Sequence, residues 1–145
     1  MSAAHTAIKP VALQWFADLT DVRWPPQLVR GLIVDGSLVL LYGPSNSGKT
    51  FLAVDMALHI AAGEPWRDMR TTHGLVIYVA GESASSVRAR VVAFRREHPD
   101  WSNDTPFAVL PHAVNLLDRN AVESLIAAIL EAQSEKSCKV ALIVV

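Results

Sequence analysis

The sequence predicts an α/β fold with a largely parallel sheet and helices on both of its faces. Three observations predict it. Apolar runs of strand length at 37–42, 75–80, 107–110 and 139–145 alternate with helix-length segments, the pattern of parallel strands joined by crossover helices. The run LVIYVA at 75–80 is apolar and β-branched almost throughout, as a strand buried on both faces reads. A Gly-rich turn, GPSNSGKT at 43–50, stands between an apolar run and a helix-length one.

Length and composition set the frame. A chain of 145 residues is about one domain, and 51% hydrophobic with 19% charged residues is globular and rich in core formers. A formal net charge of −1 offers no global basic excess for nucleic acid, although a local basic channel is compatible with it. The single cysteine, Cys138, excludes an internal disulfide framework and suits a reducing compartment. Residues 1–10 carry no basic-then-apolar leader pattern, and no apolar run reaches the roughly 20 residues of a membrane span. The expectation is a soluble, cytoplasmic protein without repeats or low-complexity segments.

Residues 1–10 read as a loosely held start, and 11–19 as a short helix with Leu13, Phe16 and Ala17 on one face. Trp24-Pro25-Pro26 stops any helix and favours extended backbone. Residues 28–34 lead to the turn signal Asp35-Gly36 and then to the predicted strand 37–42. The helix after the Gly-rich turn, 51–62, is apolar around much of its circumference, as expected where a helix lies on a sheet. Gly63 is its expected C-cap. His59 reads as a surface or hydrogen-bonded side chain rather than a catalytic one, and 64–74 as a polar connection. The strand 75–80 ends at Gly81-Glu82-Ser83, and a helix follows over 84–98 with Val87, Val91 and Phe94 on one side. Arg88, Arg90, Arg95 and Arg96 fall mostly elsewhere and read as a solvated face. Residues 107–110 form a third strand. Asp118 is the expected N-cap of a helix to about Gln133, where Val122, Leu125, Ile126, Ile129 and Leu130 keep helical spacing. Residues 139–145 are a fourth strand. The expected organisation is an N-terminal arm over 1–23 and a core over 24–145.

The segment 43–50 carries the chemistry. It fits G-x-x-x-x-G-K-[ST], a phosphate-binding P-loop. Gly43 and Gly48 let the backbone curl with its N–H groups inward. The helix then presents its unpaired N–H groups and partial positive charge to the same anion. Lys49 is expected to reach the β- and γ-phosphates, and the Thr50 hydroxyl to ligate Mg²⁺. The expected nucleotide-binding set is Gly43, Pro44, Ser45, Asn46, Ser47, Gly48, Lys49, Thr50 and Phe51, with ATP and Mg²⁺ as cofactors. Trp24 is an alternative base contact, although such a residue more often pins an arm to its domain.

Four stretches together resemble RecA-like P-loop ATPases: the lead-in 32–42 with GPSNSGKT, FLAVDMALHIAAG, LVIYVAGESA and the final VALIVV. Within that class the pattern is similar to the RepA-type hexameric replicative helicases and related ATPases of plasmids and phages. The resemblance covers about 24–145 and implies a role for Glu82. RecA-like ATPases carry a glutamate at the end of the strand after the P-loop helix, where it activates the attacking water, and LVIYVAGE matches that element. The competing role for Glu82 is to cap the next helix. Ser83 and Arg88 are site neighbours in the same outline. Members of the class continue the strand VALIVV into the Walker B aspartate and place a further strand between it and the P-loop strand. The sequence ends at Val145, so the expectation is an N-terminal part of a longer protein, cut before the Walker B acid, with little turnover by itself.

Three functions follow as expectations. The first is an ATPase motor, acting as a homo-oligomer, a hexamer as the resemblance implies, on single-stranded DNA in plasmid or phage replication. Its DNA half rests on the resemblance alone, since no aromatic and basic interleaving marks a strand channel. The second is a small-molecule P-loop kinase, for which no Arg-bearing lid is visible. The third is a nucleotide-binding remnant or accessory module without turnover.

Overall fold

The computed structural model describes residues 13, 15–21, 24–81 and 83–145. After a short 3-10 turn at Phe16–Asp18, the elements are β1 (Gln27–Val29), β2 (Ile33–Val34), α1 (Lys49–Ala62), β3 (Leu75–Val79), α2 (Ala84–Glu97), β4 (Phe107–Leu110), α3 (Arg119–Lys136) and β5 (Val140–Val144). The three longest strands form one parallel sheet in the order β4-β3-β5.

That order explains the layers. The chain steps from β3 to β4 in one direction and then returns past β3 to β5. Parallel crossovers are right-handed, so steps in opposite directions put their helices on opposite faces. Accordingly α2 packs with α1 on one face and α3 covers the other. The central strand β3 is buried at all five positions, as its β-branched run predicted. Its side chains alternate between the layers, with Val76 and Tyr78 facing α1 and α2. Leu75, Ile77 and Val79 face α3 through Leu125, Ile129 and Ala132.

Local signals set the helix ends. Gly63 adopts φ 75°, and Glu64 N–H donates back to His59 O at 3.0 Å, a left-handed C-cap of α1. Ser83 and Asp118 accept backbone N–H groups at the starts of α2 and α3. The helix α3 runs to Lys136, past the predicted end at Gln133. Only part of its apolar stripe reaches the sheet. Leu125 and Ile129 pack on β3, whereas Ile126 and Leu130, about 100° round the helix, stay exposed.

Two segments depart from expectation by gaining structure. Residues 27–34 form an antiparallel hairpin, β1 with β2, that buries Leu28, Val29 and Ile33 against Ala57, Ile60 and Ala61 of α1. The connection 64–74 is equally ordered. Trp66 is buried in the same cluster, Thr72 N–H donates to Leu28 O at 2.8 Å, and Arg30 N–H donates to Arg70 O at 2.9 Å.

One segment loses structure. The strand predicted at 37–42 does not form, and Leu38, Leu40 and Tyr42 are largely exposed. A strand exists through its ladder, and no described strand pairs with this run. Of the short helix predicted over 11–19, the described residues show a 3-10 turn at Phe16–Asp18, and Val11, Ala12 and Gln14 lie outside the described residues. Among the described residues no helix is long and apolar enough to cross a membrane.

Candidate functional site

The turn 43–50 is built by backbone geometry. Pro44 O accepts from Ser47 N–H at 3.3 Å, closing a tight turn, and Asn46 sits in the left-handed region at φ 61°. Gly48 follows at φ 85° and is the N-cap of α1, a conformation that side-chain-bearing residues avoid. Lys49 and Thr50 are therefore the first two residues of the helix, where backbone N–H groups have no intrahelical acceptor. Leu52 N–H closes the first helical bond onto Gly48 O at 3.0 Å.

Lys49 arches back over the turn. Its Nζ donates to Gly43 O at 2.9 Å and to Pro44 O at 2.7 Å. The ammonium thus stands at the loop mouth, held by two neutral carbonyls rather than by a carboxylate. An arriving anion would compete for this cation through stronger, charge-assisted bonds. Gly43, Pro44, Ser45, Asn46, Ser47, Thr50 and Phe51 are all exposed, and Gly48 and Lys49 are half-buried. The loop is open to a ligand from solvent. The donor set fits a polyphosphate: a helix N-terminus, a mobile cation and one hydroxyl on Thr50. Among the described residues no cluster of three or more His, Cys, Asp or Glu could hold a metal ion. A Mg²⁺ ion here would depend on Thr50, water and the phosphates themselves, which is how that ion is often held.

Glu82 lies outside the described residues. Its neighbours are informative. The N-cap of α2 is Ser83, whose Oγ accepts from Ser86 N–H at 3.3 Å. Arg88 is exposed and is not among the residues lining the groove described next, whereas Arg90 is.

A groove of about 960 Å³ opens from the loop between α1 and α2. Lys49, Phe51, Tyr42, Arg67, Arg90 and Phe94 are among its walls. Arg90 departs from the solvated face expected of the α2 arginines. It is half-buried, its Cζ lies over the Phe51 ring at 4.2 Å from the centroid, and Nη1 donates to Ser86 Oγ. Burial raises the Tyr78 phenol above its ordinary range, and the nearby Arg90 charge partly opposes that shift. Sequence reasoning missed this wall. The signal for it is helical spacing, since Ser86, Ala89, Arg90, Ala93 and Glu97 recur every three or four residues and all border the groove.

His59 is held rather than free. Its Nδ1 lies 2.8 Å from Asp55 O, and its ring meets Phe94, His98 and Trp101 edge-on. Trp24 is exposed and is not among the residues bordering the groove.

No curated protein and no solved structure matches the chain. A family model does, the AAA domain, over residues 4–145. That family is one of nucleotide-binding ATPases, which agrees with a three-stranded parallel sheet flanked by helices and a Gly-capped turn at the start of α1. With nearly its whole length matched, the chain belongs to the AAA domain family.

Proposed function

We propose that this chain is the nucleotide-binding core of a Mg²⁺-dependent ATPase, with 43–50 as its phosphate cradle. The observation that carries the reading is the placement of Lys49, on the first turn of α1 with its ammonium over the loop carbonyls. When ATP enters, the ammonium leaves those carbonyls for the β- and γ-phosphate oxygens. The N–H groups at the start of α1 face the same charge. The Thr50 hydroxyl would hold Mg²⁺, which when bound would supply charge neutralisation to the phosphates. Water attacks the γ-phosphorus, the bond to the β-bridging oxygen breaks, and ADP leaves with that electron pair. Glu82 accepts the proton of the attacking water. The match of LVIYVAGE to the glutamate-bearing strand end of RecA-like ATPases supports this assignment.

The finer reading is a RepA-type motor that couples hydrolysis to movement on single-stranded DNA, as a ring of copies, in the cytoplasm. Residues 24–145 form its ATPase core and 1–23 an arm. Its support is the resemblance of the four stretches named above. The test is ATP hydrolysis with and without single-stranded DNA, in the wild type and in Glu82→Gln. Turnover stimulated by DNA, and lowered about 100-fold or more in Glu82→Gln with ATP binding retained, is the expected result. Binding with no turnover in the wild type would leave a nucleotide-binding module and discard the motor. Transfer of phosphate to a small-molecule acceptor would point to a kinase.

A further inference from the structure

The groove beyond the loop contains a cation that forms no ion pair among the described residues. Arg90 points one N–H group at Ser86 Oγ, its Nε is buried without a hydrogen-bond partner, and no described carboxylate makes an ion pair with it. A buried polar atom left unpaired is unfavourable and calls for an explanation. The guanidinium also lies over an aromatic ring that is itself 62% exposed. Such a pair is a flat, polarisable surface, and guanidinium planes stack on π-systems as well as on carboxylates. Its position is the second observation. Arg90 and Phe51 border the same groove as Ser47, Gly48 and Lys49, so a ligand anchored at the loop by its phosphates has this surface beside its other end.

We propose that Arg90, backed by Phe51, is the platform on which the base of the bound nucleotide stacks, in the groove between α1 and α2. This rests on the ATP-binding reading and assigns the other end of the same ligand. The chemistry it recognises is a planar heterocycle linked to a polyphosphate. The phosphates are held by charge at Lys49 and the base by stacking, so the two contributions separate experimentally.

The experiment is equilibrium titration of the full chain with ATP and, separately, with inorganic tripolyphosphate, each with Mg²⁺. Wild type, Arg90→Met and Phe51→Leu are compared, with circular dichroism as the check on folding. Arg90→Met keeps the aliphatic stem and removes the plane. Expected is a loss of about tenfold in ATP affinity in both variants, with tripolyphosphate affinity unchanged. Equal loss for both ligands would place Arg90 at the phosphate end and overturn the platform. Unchanged ATP affinity in both variants would overturn it as well, while leaving the ATP-binding reading intact. Failure of the wild type to bind ATP would remove both readings together. If Arg90→Met does not fold, Phe51→Leu on the exposed side of the pair decides the matter alone.

Discussion

The indole Nε1 of Trp66 donates to Asp55 Oδ2 at 2.8 Å and ties the 66–69 turn to the middle of α1. Trp66 is buried with the β1–β2 hairpin residues, so this bond joins three segments distant in sequence. Asp55→Ala leaves the buried indole N–H unpaired. Stability is expected to fall by about 1–3 kcal/mol, read from the urea unfolding midpoint, with Asp55→Asn recovering much of the loss. A midpoint unchanged in Asp55→Ala would mean that water replaces the carboxylate at no penalty.

Lys49→Ala removes the ammonium from the loop mouth. Its present partners, Gly43 O and Pro44 O, are in an exposed loop and can turn to water, so the fold should tolerate the change. ATP affinity is expected to fall about 10- to 100-fold from the loss of charge-assisted bonds. Calorimetric titration checks this, and wild-type affinity in the variant would remove 43–50 from the site.

Gly74 marks a close approach of two strands. A Cβ there would lie 2.5 Å from Ala141 Cβ and 2.8 Å from Lys139 O. The neighbouring backbone bond, Leu75 N–H to Lys139 O at 2.7 Å, leaves little room to retreat. Gly74→Ala is expected to destabilise the protein by about 1–3 kcal/mol through overpacking. A lowered melting temperature with an unchanged far-ultraviolet spectrum is the signature.

Burial holds the Tyr78 phenol in the folded state above its ordinary pKa of 10.0. Above that pH the unfolded chain loses the phenolic proton while the folded chain keeps it. The folded state then binds more protons, and stability falls as pH rises. Well below pH 10.0 the phenol is protonated in both states and contributes no slope. Unfolding free energies measured on either side of that pH should fall more steeply in the wild type than in Tyr78→Phe. Parallel slopes would show that Tyr78 ionises equally in both states.

What could be read directly from the sequence is local. Residues 43–50 are contiguous, so their motif needs no tertiary contact to be seen, and Gly48 and Gly63 mark the ends of α1 by their own backbone freedom. The apolar β-branched run of β3 announces burial on both faces because each residue carries its own contribution. What required the folded chain is pairing. The hairpin at 27–34 is locked by bonds from Arg30 to Arg70 O and from Thr72 to Gln27 O, across separations that no periodicity encodes. The run at 37–42 has the composition of a strand and lacks a partner, so its apolar residues remain exposed. The same reason hid the groove. Phe51 and Arg90 belong to different helices, and only the packing of α1 against α2 on one face of β3 sets the guanidinium over the ring. Sequence by itself determined the three long helices, the strands of the parallel sheet and the glycine-rich turn at 43–50, which depend on residues within a few positions of one another. Tertiary structure decided which strands pair and which side chains share the groove, because those interactions exist only once distant segments have been brought together.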